Sequence, residues 1–596
     1  MRDLIKSDWP SHFFSFDEGG LDELALFLTA VGVSSNPYEK SFGGAEVPKD
    51  NSVLPQLQPF SDLNPDRLVL HGTGDWNIAD YLSDGLLMPF LEPASIRSGV
   101  DMGDRPKIRD QPETLVALSK KWDDKGLLLI HKDPIPVGGL TRIFNAYKSV
   151  DQDRQIGDRR GMNSLESKVP GPSSSLPSGC DVTDLCLDPS REKLLVSITD
   201  RRDFYHQISV TRSKAIGNTV GPPVPLAMLD DLAALGVFRD ANRNVKYRRE
   251  AQGDKPGTTC DHPSLLVAPP EDHVWIAFNS VLQGDHIGVE VATDGHSNLL
   301  RSYGLLNDGE RLSADTPLRS SSRLEGLCID DYFCVSVEPG DADPKSSGAY
   351  KAYHKAQQAY RDKGLLGSPH KDIVAQESGK TIGAFINSSQ DARKRGLCTV
   401  GAPPEKRVAL SFLTLMLCQL LYTTDSLHLC LLGAWVSVLS YRRPLMAILQ
   451  KSFSVLNQND FDRDRPRLVQ LSRQVANELV LLSVLMFFAV FDLAAEYMEE
   501  IFCTDASSSK GAICSAPCSK GLHEVLWRSC KSKGSYTRLL SPIETVLANL
   551  GEFEPEKLMP ECVDPPRPLC YTFDFIEVFA GAALITAESA GFVQQP

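Results

Sequence analysis

The residues best suited to chemistry are three aspartates that lie far apart along the chain. Asp200 closes the apolar run Leu194, Leu195, Val196 and Ile198. Asp330 and Asp331 stand between two further apolar runs, Leu327 to Ile329 and Tyr332 to Val337. Phosphoryl transfer with two divalent ions needs carboxylates that hold those ions about 3.5–4 Å apart. If the strand ending at Asp200 neighbours the hairpin turning at Asp330 in one sheet, the three acids converge and can hold two Mg²⁺. Aspartate is also common at strand ends and in turns, so each motif alone reads equally as structure. A second constellation is Cys514, Cys518, His523 and Cys530, spaced C-x3-C-x4-H-x6-C. Thiolate and imidazole are zinc ligands, and short knuckles of this type occur in nucleic-acid proteins. Two of the intervals depart from the usual knuckle, so free thiols without zinc are expected.

The chain has 596 residues, 42% hydrophobic and 23% charged, a globular composition with material for several cores. Its 62 Lys+Arg against 77 Asp+Glu leave a net charge of −15, which argues against a non-specific nucleic-acid coat. An enzyme with a local basic groove remains compatible, because the field at a cleft is what a substrate meets. The N-terminal MRDLIKSDWPSHFF has no apolar signal core, and the fourteen cysteines are scattered. Reduced thiols in an intracellular protein, nuclear or cytoplasmic and not secreted, are expected. The apolar runs Val408 to Leu421 and Leu479 to Phe491 are shorter than the ~20 residues a bilayer needs, so buried helices and no membrane are expected.

These acids must be positioned by the elements around them. Pro112 to Leu129 predicts a helix followed by a strand, Lys193 to Thr199 a strand, and Gly171 to Ser178 a turn-rich connector. Met228 to Phe238 reads as helical, Val274 to Phe278 as a strand, and Arg323 to Val337 as strand, acidic turn, strand. A helix at Ala349 to Lys363 and a strand at Lys380 to Ile386 follow. Residues 405 to 500 read as mostly helical, interrupted near Asn457 to Pro466. Past Ile501 the chain turns strand-like, and Phe573 to Phe592 reads as strand, turn, helix.

Several motifs then fall into a familiar order. Asp200-Arg-Arg-Asp-Phe-Tyr-His-Gln-Ile208, preceded by Val-Ser-Ile-Thr, resembles the first catalytic motif of reverse transcriptases, with the aromatic Tyr205 five positions after the Asp. Cys328-Ile-Asp-Asp331 resembles their paired-Asp hairpin, and Leu282-Gln-Gly284 the segment over the incoming nucleotide. Arg154-Gln-Ile-Gly-Asp-Arg-Arg-Gly-Met-Asn163 is similar to the fingers motif. Gly364 to Lys371 and Thr381-Ile-Gly-Ala384 resemble later palm motifs. Such ordered agreement over roughly residues 110–390 is more specific than any single match.

The resemblance implies an α+β right-hand polymerase with fingers, a β-sheet palm and a helical thumb or connection, plus partial α/β C-terminal segments. Residues 1–90 have no assigned role, 91–390 form fingers and palm, and 391–498 the thumb or connection. It implies Mg²⁺ on Asp200, Asp330 and Asp331, with Tyr205 as a steric gate against a ribose 2′-hydroxyl. Arg154 and Lys148 would neutralise the triphosphate, Gln283 and Gly284 line the nucleotide pocket, and Lys371 lie near the leaving pyrophosphate. Solvated ion pairs with Asp151, Asp153 and Asp158 are the plain alternative for Arg154, Arg159 and Arg160; core packing is that for Tyr205. The Ser-Pro that often follows Gln-Gly is replaced by Asp285-His-Ile-Gly-Val, and an insertion is expected around residues 211 to 270.

Cys503-Thr-Asp-Ala-Ser507 and Gly511-Ala-Ile513 resemble the start of a ribonuclease-H-like segment, 499–550, with Asp505 as its first acid; Glu524 and Glu544 are further acids by proximity. In 551–596, Phe573 to Ala583 resembles the first motif of cytosine-5 DNA methyltransferases, and Glu577, Phe579 and Gly581 would face S-adenosylmethionine. Ala583 replaces the second glycine and no Pro-Cys loop follows, so use of that cofactor is not expected. The expected activity is RNA-directed DNA polymerisation by a retroelement protein, on an RNA or DNA template-primer with dNTPs. The alternatives are an inactive relic that keeps the fold and binds nucleic acid, or a methyltransferase-related fragment.

Overall fold

Leu115, Leu118 and Trp122 recur at helical spacing and turn one face of α1 (Pro112–Asp123) into a core. The computed structural model describes residues 60–97, 106–241, 266–314, 322–420, 422–455, 468–506 and 511–529. After α1 come β1 (Leu128–His131) and the antiparallel hairpin β2 (Arg142–Tyr147) and β3 (Asp153–Asp158). The Trp122 indole donates to Gln155 Oε1 at 2.7 Å and ties α1 to that hairpin.

Next in the chain are β4 (Glu192–Asp200), β5 (Thr219–Pro225), β6 (His273–Phe278), α2 (Gly288–Ser302), β7 (Arg323–Cys328), β8 (Asp331–Pro339), α3 (Gly348–Asp362) and β9 (Ile373–Gln376). β1, β6 and β5 form one antiparallel sheet against α1. The central sheet is ordered β7–β8–β4–β9, antiparallel throughout.

β4 and β8 are apolar on both faces because both faces are covered. Leu194, Val196, Ile198, Phe333 and Val335 point into one core. Leu195, Tyr332 and Cys334 point into another, under α2 and α3. Ala349, Ala352, Ala356 and Ala359 line the buried face of α3, whose first turn is capped by the Ser347 side chain. Gly326 on β7 is required by packing: a Cβ there would stand 2.1 Å from the Phe333 ring.

The opposite core is closed by a second antiparallel sheet of β10 (Ser378–Thr381), β11 (Ala384–Asn387), β12 (Thr399–Gly401) and, after the helices α4 (Pro404–Leu417), α5 (Asp425–Leu439) and α6 (Arg473–Leu485), β13 (Val490–Asp492). Trp435 is fully buried among them and its indole donates to Thr414 Oγ1 at 2.8 Å. A separate hairpin, β14 (Glu500–Ala506) and β15 (Gly511–Pro517), precedes α7 (Lys520–Ser529).

Three sequence expectations change in detail. The strand expected at Lys380 to Ile386 is two strands, β10 and β11, turning at Ile382 and Gly383, both with positive φ. Within Met228 to Phe238 the α-helix starts only at residue 233, after a 3-10 turn at Leu226–Leu229. The block 405–500 supplies strand β13 as well as helices. Among the described residues, no helix is long and apolar enough to cross a membrane. Residues 1–59, Cys530, Glu544 and the stretch with Glu577, Phe579 and Gly581 lie outside the described residues.

Candidate active site

The register of the central sheet brings the three aspartates together. Asp331, first residue of β8, stands opposite Asp200, last residue of β4. Cys328 pairs with Asp331 across the two-residue loop Ile329–Asp330, so Asp330 occupies the hairpin tip. The Arg201 amide donates to the Asp330 carbonyl at 3.1 Å, binding the tip to the chain that leaves β4. Residues 130 apart in sequence become neighbours because β4 and β8 are adjacent strands.

That tip is strained and propped. Ile329 has φ +58, a left-handed conformation costly for a β-branched residue. Its carbonyl accepts from His296 Nδ1 at 2.8 Å, and His296 Nε2 accepts from the Tyr360 hydroxyl at 2.9 Å. Burial pushes His296 down to about 3, so the imidazole is neutral and its tautomer follows from those two partners. The Arg201 guanidinium lies 3.8 Å from the centre of the Tyr360 ring.

Electrostatically the site is short of positive charge. Burial, then Asp331 and Asp200, pushes Asp330 up to about 7. Burial and the Asp200 charge push Asp331 to about 6, with a hydrogen bond between the Asp331 and Asp200 carboxyls adding to the rise. The cation beside them is Lys371, whose Nζ lies 2.8 Å from Asp200 Oδ2. Carboxylates that repel one another and hold protons near neutrality are suited to a divalent cation, which needs the deprotonated form. By the chemistry of the donor set Asp200, Asp330 and Asp331 suit Mg²⁺, while their carboxylate oxygens do not all fall within 4.8 Å of one another.

The residues expected to face a nucleotide lie as follows. Tyr205 sits in the turn after β4, its carbonyl accepting from Ser280 Oγ at 2.8 Å. Its ring edge is so close to Gly288 that a Cβ there would stand 3.2 Å away. Burial raises the Tyr205 hydroxyl, with Asp330 and Asp285 adding to the rise. Gln283 and Gly284 cross the end of β3: the Gly157 amide donates to the Gln283 carbonyl at 2.7 Å. A Cβ on Gly284, whose φ is +119, would stand 2.0 Å from the Gly157 carbonyl oxygen. Lys148 lies 3.3 Å from Asp203, which also accepts from His71 Nδ1 at 2.5 Å. Arg154 is exposed on β3, opposite Ala146.

Arg159 is not on a solvated face. Arg160 is, paired with Asp158 at 2.8 Å, but Arg159 is fully buried between Asp285 and Glu166. Burial works to raise Asp285, yet Arg159 and Lys214 hold it below the usual carboxylate range. Among the described residues, Glu166, Asp285 and His286 are the group whose possible metal-ligand atoms all fall within 4.8 Å of one another. Arg159 and Lys214 already stand on those carboxylates, so a divalent ion there would have to displace them. The sequence signal for this cluster was present: an aspartate directly after Gln283-Gly284.

Toward the C-terminus, Asp505 falls on β14 opposite Ala512, in the separate hairpin. His523 Nδ1 lies 2.9 Å from the Met498 carbonyl, so that nitrogen donates there, and Cys518 is buried while Cys514 is exposed.

No family model matches the sequence, and no curated protein matches it. Among solved structures, the chain is similar to a foamy viral protease-reverse transcriptase dRH in complex with double-stranded DNA. The identity is 11%, 71% of this chain and 57% of that chain are covered, and the TM-score is 0.41. It is also similar to a foamy viral protease-reverse transcriptase in complex with double-stranded DNA, at 12% identity, covering 87% of this chain and 77% of that one, with a TM-score of 0.43. The chain thus spans 57% of the length of the first of these proteins.

Proposed function

We propose that the chain is a reverse-transcriptase-like polymerase that extends a primer 3′-hydroxyl with dNTPs on an RNA or DNA template. The observation that carries this is the pairing of Asp331 with Asp200 across β8 and β4, with Asp330 at the tip beside them. Asp200, Asp330 and Asp331 would hold Mg²⁺, which would supply neutralisation of the triphosphate and activation of the 3′-oxygen. In the transfer, the primer 3′-oxygen bonds to the α-phosphorus, the bond to the β-phosphate oxygen breaks, and pyrophosphate leaves.

The protein's part is positioning and charge placement, which dominate phosphoryl transfer. Lys148 and the exposed Arg154 would meet the triphosphate, and Lys371, 2.8 Å from Asp200, would meet the leaving pyrophosphate. Tyr205, anchored by Ser280 and packed against Gly288, closes the pocket where a 2′-hydroxyl would enter. Gln283 and Gly284 form the pocket edge, with fingers and palm in 91–390 and thumb or connection in 391–498. No step is assigned to Asp505 or to the Glu577–Gly581 stretch.

The test is extension of an annealed primer with Mg²⁺ by the full chain, its Asp330→Asn and its Asp200→Asn variants. Extension by the wild type, abolished in both variants, is expected. Wild type and variants equally inert on RNA and DNA templates, with Mg²⁺ and Mn²⁺, would sink the proposal.

A further inference from the structure

Arg159, Glu166 and Asp285 have side chains 0% exposed and Lys214 only 1%, an ion cluster sealed from water. Lys214 Nζ lies 2.5 Å from Asp285 Oδ2 and Arg159 Nη1 3.0 Å from Asp285 Oδ1. The same guanidinium reaches Glu166 Oε1 at 3.3 Å, the Gly217 carbonyl at 3.2 Å and Asn163 Oδ1 at 3.0 Å. Two cations thus balance two anions. Such a cluster is a poor source of stability, because desolvation offsets the attraction and apolar residues of similar volume often serve as well.

What the cluster does supply is direction. Asp285 satisfies both cations only when its backbone is held in one place, and that place is one residue past Gly284. Asn163, fixed by Arg159, donates from Nδ2 to the Gly284 carbonyl at 2.8 Å. The Gly157 amide, two residues before Arg159, holds the Gln283 carbonyl. Lys214 belongs to the short helix Arg212–Ile216, which follows the turn carrying Tyr205. Three segments, around Arg159, Lys214 and Gly284, therefore meet on one carboxylate.

We propose that Arg159 and Lys214, acting through Asp285, are positioning residues that fix the Gln283–Gly284 edge and thereby set affinity for the incoming dNTP. This rests on the polymerase reading and deepens it. A carboxylate with two buried cationic partners holds the edge against the pull of a charged triphosphate, where an apolar contact could slide.

The experiment compares steady-state dNTP kinetics and amide exchange for the full chain and its Lys214→Met and Lys214→Arg variants. In Lys214→Met, KM for dNTP should rise roughly tenfold or more with kcat within about twofold, since uniform nucleotide binding is what is lost. The Gly157 amide should exchange faster, and Lys214→Arg should restore both. An unchanged KM, or a fall in kcat and active fraction alone, would mark the cluster as merely structural and overturn the inference. Should Lys214→Met fail to fold, the double variant Lys214→Met/Asp285→Leu keeps volume without charge. A raised KM there supports the inference and a wild-type KM overturns it. An inert wild type would overturn the polymerase reading and this inference together, whereas an active wild type with an indifferent Lys214 overturns only this one.

Discussion

At the residue scale, the decisive feature is that Asp330 and Asp331 are pushed up to about 7 and about 6. A carboxyl whose pKa is higher in the folded than in the unfolded chain stabilises the fold below the unfolded value, near 4, and loses that contribution as pH rises through the folded one. The metal-free protein should therefore lose stability between about pH 4 and pH 7. Asp330→Asn, which cannot ionise, should be more stable than the wild type at pH 8, by on the order of 2 kcal/mol after solvent screening. The gap should close at pH 4, and a scanning calorimeter at both pH values reads it. A variant no more stable than wild type at pH 8 would mean that the carboxyl is not disfavoured in its charged form. Tyr205→Ala, opening the space beside Gly288, should admit ribonucleotides: the ratio of rNTP to dNTP incorporation by primer extension should rise about tenfold or more. An unchanged ratio would remove Tyr205 from the gate.

At the element scale, much of the site was legible because short continuous apolar runs ending in Asp mark buried strands whatever they later pair with. β4, β7 and β8 follow from Leu194 to Ile198 and from the runs flanking Asp330. Their adjacency did not follow from pattern alone, since strand pairing is settled by burial on both faces, and only the order of motifs suggested it. The β2–β3 hairpin has no apolar signature because Arg142, Asn145, Asp153 and Arg154 break the pattern, while Ile143 shares a core with Trp122 and Leu282. The alternative of a solvated Arg159 rests on three charged residues in a row, whereas Asp285 and Glu166 pair with its guanidinium inside the protein. The Gln283–Gly284 crossing makes a sharp prediction. Gly284→Ala brings a Cβ to 2.0 Å from a backbone oxygen at φ +119. It should cost about 2–4 kcal/mol in chemical denaturation and most of the activity. A variant with wild-type stability and KM would mean that this crossing is looser than described.

At the scale of the whole molecule, the central sheet is held between two cores, and the aspartates sit where β4 and β8 end. Trp435 lies far along the chain in α5, yet it shares its core with Val196, Phe333 and Val335 of those strands. Trp435→Ala should lower stability by about 3–5 kcal/mol and, at a temperature where it remains folded, reduce extension without altering KM for dNTP. A change in KM alone would place Trp435 in a different relation to the pocket. The most direct test of the account as a whole asks whether the three acids hold one metal centre. Mn²⁺ titration of the full chain, followed by electron paramagnetic resonance, should reveal bound ion whose affinity climbs between pH 6 and pH 8 as Asp330 and Asp331 lose their protons. That binding should fall sharply in Asp200→Asn and in Asp330→Asn alike. Bound Mn²⁺ that is indifferent to both substitutions, or none at any pH, would contradict it.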